Sequence, residues 1–589
     1  MPSGYFTLVL HSHLPWVLHH GRWPHGVDWL NEAAAETYLP LWRVLNERAA
    51  AGRPLGVALG LTPVLCEQLA HPDFHLEFVT YLDAKIAAAR EDRAWFGRSG
   101  EPAMAALAER WETFYRGALE DFMGPHGPNL VARFRRLEEQ GAIEIITCAA
   151  THGYLPLLSS DAAAEGQIRT AVATHRRHFG RSPRGIWLPE CAYRPAGPWP
   201  SAAMAAEGGL ERATIARAGV EEILARHDLE YFFVDTHLLS GGHPLGVYAD
   251  RFEALRHLAH DTEGTPGPER SPAAARAAVA AKAGGPYRPY RVGESGHVHC
   301  FGRDPVTAVQ VWSGEHGYPG DPEYLDFHKK RFPGGHRYWR VTHPKADLAH
   351  KEIYRPERAG SQAPEHAAHF VSLLGETLGA AAARGAPPIA CAMFDTELFG
   401  HWWFEGPGFL GQVLDRLRGA IEPASPSDYL GRHPAAEVVS LPEGSWGDGG
   451  GHAVWLNADT RWTWSLIHTA EARFEALARQ ARDHGGAADP LLERLMRQAG
   501  RELLLLEASD WQFLITTFSA RDYAELRLAQ HVADFERLAS LAERRAVGGA
   551  VSGGDEHFLA ECERRDSLFP DLDWRAWAAS GRSGAVATR

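Results

Sequence analysis

The chain predicts an α/β fold: a mostly parallel βα barrel that carries a helical insert and is followed by an all-helical domain. Three observations lead there. Short apolar runs recur with polar chemistry directly behind each, alanine-rich helical stretches separate most of them, and beyond about residue 423 helical periodicity takes over.

The runs are Tyr5 to Leu10, Leu55 to Leu59, Ile143 to Cys148, Gly185 to Leu188, Tyr231 to Val234, Val306 to Trp312 and Ile389 to Phe394. Brief continuous apolar segments of this kind mark strands buried on both faces. Behind them come His11-Ser12-His13, Thr62, Thr151-His152, Glu190, Asp235-Thr236-His237, Ser313-Gly314-Glu315 and Asp395-Thr396-Glu397. In parallel α/β folds the carboxyl ends of strands carry the chemistry, because loops there vary without disturbing the core. A doubly wound open sheet fits the same alternation, since sequence spacing does not establish closure.

Two excursions interrupt a catalytic region spanning 1–425. The first, about 80–136, reads as amphipathic helices in AKIAAAREDRAWF and AMAALAERWETFYRGALEDF. The second, about 237–296, includes a Gly/Pro/Ala-rich piece and is a candidate lid, with Tyr248 as a lid-tip contact or a packing anchor. A glycine-rich link, SWGDGGGHAVWLN, leads into the helical domain at 426–546. The final stretch, 547–589, reads as a linker and partly disordered tail with one compact patch, SLFPDLDWRAW.

Composition bounds the function. Lys and Arg number 60 against 74 Asp and Glu, with no dense basic tract, so nucleic acid is not an expected partner. The six cysteines are widely spaced without a CxxC, which argues against a zinc cluster or disulfide framework and for a reducing compartment. MPSGYFTLVLHSH lacks a basic n-region and its apolar stretch is too short for a signal peptide. No later apolar segment reaches membrane-spanning length, so a cytoplasmic protein is expected, with no membrane partner. No Gly-rich dinucleotide or phosphate loop, nucleophile elbow or pyridoxal-type lysine context stands out, and no cofactor is expected.

Two carboxyl groups share one address. Asp395 follows the run ending at Phe394, and Glu190 follows the run ending at Leu188. Two acids at strand ends of one sheet can flank a single glycosidic bond, one attacking and the other protonating the leaving oxygen. The plainer alternative is that Asp395 and Glu397 cap the next segment while Trp402-Trp403 fill core.

His11 and His13 could form a metal half-site completed by Asp235 or His152, or serve as neutral partners for sugar hydroxyls. Several of the 19 tryptophans lie in polar or loop-like settings: Trp23, Trp29, Trp312, Trp402, Trp403, Trp455, Trp464 and Trp511. Indoles stack on pyranose rings while their N–H reaches a hydroxyl, a reading favoured for Trp455 and Trp464; for Trp511 packing is favoured. Asp510 is either a surface cap or a hydroxyl binder, and Arg303 either an ion-pair partner or a hydroxyl-binding group.

At these residues the chain resembles glycoside hydrolase family 57 and, within it, the 1,4-α-glucan branching enzymes. The carriers are HSHLPW at His11, GLTP at Gly60, ATHGYLP at Ala150, WLPECAY at Trp187, FDTELFGHWWFEG at Phe394, and the late WLN…TRWTW and ASDWQF stretches. The resemblance implies a distorted (β/α)7 barrel with a helical insert and a carboxyl-terminal helical domain, retaining chemistry and no required metal. By motif match Glu190 is the nucleophile and Asp395 the general acid/base, with His11, His13, His152, Trp187 and Asp235 on the active-site rim. Arg303, Gly320, Trp455 and Asp510 fall at glucan-binding positions, and Trp23, Trp29, Trp312 and Trp464 at cleft aromatics. The Gly/Pro/Ala insertion at 262–288 departs from the family pattern. The implied activity is α-1,4-glucan cleavage with transfer to a 6-hydroxyl, on amylose, amylopectin or glycogen; separately, a monomer is the favoured state. The alternatives are a related 4-α-glucanotransferase or α-amylase, a metal-dependent polysaccharide deacetylase using His11, His13 and Asp235, and a non-catalytic glucan-binding protein.

Overall fold

A computed structural model describes residues 4–579 apart from 23, 53, 201–213, 241–284, 294–295, 314–316, 383–385, 418, 420 and 484–488. Trp23, Tyr248 and most of the expected lid lie outside the described residues.

Seven strands run parallel in the order of the chain: β1 (Gly4–Ser12), β2 (Val57–Leu61), β3 (Glu144–Ile146), β4 (Gly185–Ile186), β5 (Tyr231–Val234), β6 (Val298–Gly302) and β7 (Ile389–Asp395). Regular ladders join β7 to β1, β1 to β2, β2 to β3, β4 to β5 and β5 to β6. Two single parallel bridges complete the circle, Thr147 to Ile186 and Arg303 to Cys391. At the first, Thr147 N–H donates to the Gly185 carbonyl at 3.1 Å and Trp187 N–H to the Thr147 carbonyl at 2.9 Å. At the second, Asp304 N–H donates to the Cys391 carbonyl at 2.8 Å. The barrel therefore closes, but through joints one residue deep, and this is its distortion.

One expected strand is a helix. Val306 to Trp312 belongs to the helix Pro305–Trp312, and the barrel strand in this region is β6, VHCFG, which the apolar pattern did not single out. The helix is buried on all sides, so its run is as uniformly apolar as a buried strand. What starts it is chemistry at the cap: the Asp304 carboxylate accepts from the N–H groups of Val306 and Thr307, and Pro305 occupies the first turn.

The helical insert is two long antiparallel helices, Pro72–Arg98 and Pro102–Phe122, with Phe74, Phe78, Trp111, Tyr115 and Phe122 on their buried faces. The late helices Arg461–Asp483, Pro490–Leu506, Asp510–Thr516 and Arg521–Ala546 form the helical domain. The segment beyond 547 carries the helix Gly553–Arg565 where a linker was expected, and the expected compact patch SLFPDLDWRAW seats two fully buried tryptophans, Trp574 and Trp577. It also latches the barrel: Trp16 Nε1–H donates to the Arg565 carbonyl at 3.1 Å, and His20 Nε2 meets Asp566 Oδ1 at 2.6 Å. A polar, glycine-opened sequence hides this because its anchors are far apart in the chain.

Candidate active site

The carboxyl ends of β1, β4 and β7 bring the candidate residues together. β1 lies between β7 and β2, and its register sets His11 opposite Asp395, the last residue of β7. The His11 ring stacks on Trp187 with centroids 4.9 Å apart, and its Nε2 meets His152 Nε2 at 3.0 Å. His13 stacks on His152 at 4.0 Å. Its Nδ1 reaches the Thr62 hydroxyl at 3.2 Å and its Nε2 reaches the Asp510 carboxylate at 3.0 Å. Burial drives the His11 and His152 pKa values well below the ordinary imidazole range, with neighbouring histidines adding to the effect.

Glu190 sits one turn past β4 with φ of 60°, and His152 has φ of 62°. Left-handed backbone at residues with a Cβ is costly, and it persists where surrounding structure holds it. Here the holding contacts are the Trp446 N–H on the Glu190 carbonyl at 3.0 Å and the Ser509 N–H on the His152 carbonyl at 3.1 Å. The Glu190 carboxylate accepts from Trp446 Nε1–H at 2.7 Å and has His152 Nδ1 3.9 Å away. Burial pushes its pKa up to about 8; the Trp446 hydrogen bond opposes the rise, and the charges of Asp395 and Asp510 add to it.

A third carboxyl lies beside the pair. Glu397 accepts from the Tyr38 hydroxyl, and from His13 N–H at 3.2 Å. Burial lifts its pKa to about 8, with the Asp395 charge contributing and Tyr38 opposing. Tyr38 ends the π-helical turn Ala34–Tyr38, an irregularity frequent at functional sites.

Farther round the rim, Asp235 accepts from Thr236 N–H at 2.7 Å and lies 3.5 Å from His237 Nδ1. Burial works to raise its pKa, but His237 and the Arg303 charge outweigh that and hold it low. The fully buried Arg303 guanidinium lies 5.4 Å over the Trp446 ring, and none of its nitrogens has a hydrogen-bond partner among the described residues.

The remaining expected contacts spread outward. Trp455 is buried and stacks on Tyr154 at 4.5 Å, two residues from His152. Trp464 departs from its expected glucan contact: it is fully buried and its indole N–H is spent on the Trp455 carbonyl at 2.8 Å, which makes it a packing residue. Trp511 is likewise buried, donating to the Leu505 carbonyl at 2.8 Å. Trp29 packs on His25 and Tyr523, at the contact between barrel and helical domain. Trp312 and Trp402 lie 6.4 Å apart, and Gly320 ends a half-buried 3-10 turn.

Sequence reasoning missed Trp446, Ser509, Tyr38 and Glu397 as site members. Trp446 and Tyr38 sit far along the chain from the acids they touch, Ser509 far from the histidine it touches, and only the adjacency of Glu397 to Asp395 was a signal. Of the four groups among the described residues that bring three metal-type ligand atoms within 4.8 Å of one another, two lie at this rim, His11 with Cys148 and His152, and His13 with His152 and Asp510. Asp235 is in neither, so the ligand set required for the deacetylase alternative is not assembled among the described residues.

Residues 7–442 match the model of glycosyl hydrolase family 57, and residues 466–577 match the carboxyl-terminal model of 1,4-alpha-glucan branching enzymes. A 1,4-alpha-glucan branching enzyme of Thermococcus kodakarensis is 40% identical over 96% of this chain and 77% of its own length. A probable 1,4-alpha-glucan branching enzyme of Mycobacterium tuberculosis is 32% identical over 97% of this chain and 98% of its own. Among solved structures, the family 57 branching enzyme of Pyrococcus horikoshii superposes with a TM-score of 0.84 at 37% identity, covering 98% of this chain and 97% of that one. An α-amylase of Thermotoga maritima superposes at 0.76 with 27% identity, over 98% and 99% of the two chains. With three quarters of its length under one family model and relatives matching it nearly end to end, the chain belongs to glycosyl hydrolase family 57.

Proposed function

We propose that this protein is a 1,4-α-glucan branching enzyme that cleaves α-1,4-glucan and rebuilds it with α-1,6 branches, with retention at the anomeric carbon. The observation that carries the reading is the shared rim: Glu190 after β4 and Asp395 ending β7, both at carboxyl ends of a closed parallel barrel, with the Asp395 charge acting on the buried Glu190 carboxyl. The branching relatives and the carboxyl-terminal match direct it toward transfer.

In this reading ionised Glu190 attacks C1 of the donor sugar as the C1–O4 bond breaks and Asp395 gives its proton to O4. Asp395, now a base, takes the proton of an acceptor 6-hydroxyl; O6 bonds to C1 and the bond from C1 to Glu190 breaks. A retaining pair works at ~5 to 5.5 Å, close enough for direct attack. Transfer requires that an acceptor outcompete water, and the helical domain, which seats Ser509 and Asp510 on the histidines of the rim, supplies part of that exclusion. Amylose, amylopectin and glycogen are the expected substrates, and a monomer the expected state. The six cysteines, all free and buried, fit a cytoplasmic setting.

Linkage analysis of amylose after incubation with the purified protein tests this. New α-1,6 branch points, unaffected by a chelator, are expected. Reducing ends without new branches would instead assign hydrolysis, as in the α-amylase relative.

A further inference from the structure

Asp395 ends β7, and on one side its backbone is fixed by the ladder to β1, which sets it opposite His11. On the other side the ladder has stopped and the chain leaves the sheet in the 3-10 turn Thr396–Leu398. We propose that Tyr38 and Glu397 are positioning residues: the π-helical turn Ala34–Tyr38 grips residues 397–401 and so fixes the backbone that carries Asp395. The proposal rests on the assignment of Asp395 as the general acid/base.

Three successive residues of the turn each hold this segment. The Tyr38 hydroxyl donates to Glu397 Oε1. Thr37 Oγ1 accepts from the His401 N–H at 3.0 Å. Glu36 Oε2 lies 3.5 Å from His401 Nδ1, and the Glu36 carbonyl sits so close to Gly400 that a Cβ there would lie 1.8 Å from the oxygen. Gly400 has φ of 122°, so glycine serves both the conformation and the close approach. The turn is itself pinned: Glu36 accepts from the Tyr115 hydroxyl at 3.1 Å and from Arg337 at 2.7 Å, and Arg337 also donates to the His401 carbonyl at 2.9 Å.

The end of β1 adds to the grip. Ser12 Oγ and Thr396 Oγ1 are 2.7 Å apart, and the His13 N–H donates at 3.2 Å to the same Glu397 Oε1 that Tyr38 holds. One buried oxygen thus joins three stretches of chain: the turn, the end of β1 and the segment leaving β7. A general acid works only when its proton meets the leaving oxygen, and misplacement by about 1 Å costs on the order of 10²-fold in rate. The joint at Glu397, two residues behind Asp395, sets that placement.

The test uses the full-length protein with Tyr38→Phe, Glu397→Ala, Glu397→Gln and, as reference, Asp395→Asn. Each is assayed on amylose and by single-turnover fluoride release from maltosyl fluoride, whose leaving group needs no proton. Tyr38→Phe is expected to lower kcat on amylose about tenfold and Glu397→Ala about 100-fold, with KM within about twofold and fluoride release down by no more than about threefold. Glu397→Gln keeps the carbonyl oxygen that both donors need, and is expected to recover at least about tenfold over Glu397→Ala on amylose. Equal losses on the two donors, or unchanged amylose turnover in Tyr38→Phe, overturns the proposal. So does a Glu397→Gln protein as slow as Glu397→Ala, which would assign the role to the charge of Glu397. Should Glu397→Ala fail to fold, Tyr38→Phe, which keeps the buried ring, decides alone. The reference separates the two levels: Asp395→Asn sparing fluoride release while Tyr38→Phe does not defeats only the positioning, whereas Asp395→Asn losing equally on both donors defeats the acid/base assignment and the proposal with it.

Discussion

The indole N–H of Trp446 donates to Glu190 Oε2 at 2.7 Å across 256 residues of sequence. This donor stabilises the ionised carboxylate that direct attack requires. Replacing it by Trp446→Phe keeps the ring and removes the proton. Hydrogen bonds to charged groups are worth about 1.5 to 3 kcal/mol, so kcat/KM on amylose is expected to fall roughly 10- to 100-fold. The acidic limb should move upward as well, and steady-state rates at several pH values check both.

Asp395 is expected to matter most where the leaving oxygen needs a proton. Asp395→Asn should lower turnover on amylose by on the order of 10² to 10⁴-fold. The first step with a maltosyl fluoride, whose leaving group needs no protonation, should be far less affected. Rates on the two donors, measured side by side, test the role; equal losses on both would count against it.

The raised pKa of Glu190 makes a stability prediction with a definite sign. The folded group titrates at about 8 against an ordinary 4.5, so between these values the native state holds a proton that the unfolded chain has released. Stability from this group is therefore intact below about pH 4.5 and is lost as pH rises through 8. Glu190→Gln, permanently neutral, should melt like the parent at about pH 4 and progressively higher than the parent toward pH 8. Melting curves at the two pH values decide it.

Trp464 and the catalytic rim should separate cleanly. Trp464→Phe removes one of two donors on the Trp455 carbonyl, the Thr460 hydroxyl keeping the other at 2.9 Å, at a cost of about 0.5 to 1.5 kcal/mol in stability, while kcat/KM stays within about twofold. Denaturant unfolding together with amylose kinetics measures both. A raised KM with unchanged stability would return the ring to the substrate.

The tail segment should be part of the folding unit. Trp577 packs so closely on Gly166 that a Cβ there would lie 2.1 Å from its ring. Trp577→Ala should cost about 3 to 5 kcal/mol, the range for deleting a buried large aromatic, readable from urea unfolding. Gly166→Ala should destabilise through the same contact by overpacking.

What the sequence by itself determined is what local patterning can carry. Six of the seven barrel strands were legible because a strand buried on both faces must be a short apolar run, and Glu190 and Asp395 were legible because each follows such a run at once. Val306 to Trp312 was misread because a helix buried all round shows the same uniform apolarity. Asp304 and Pro305 held the deciding signal, a cap and a first-turn proline. The tertiary structure alone decided the rest. Closure depends on two bridges between residues distant in sequence, Thr147 with Ile186 and Arg303 with Cys391. Glu190 gets its hydrogen-bond donor from Trp446, and His152 its Nδ1 partner from Ser509 in the helical domain. Side-chain partnerships of this kind follow from the packing of whole elements, and no local period in the chain encodes them.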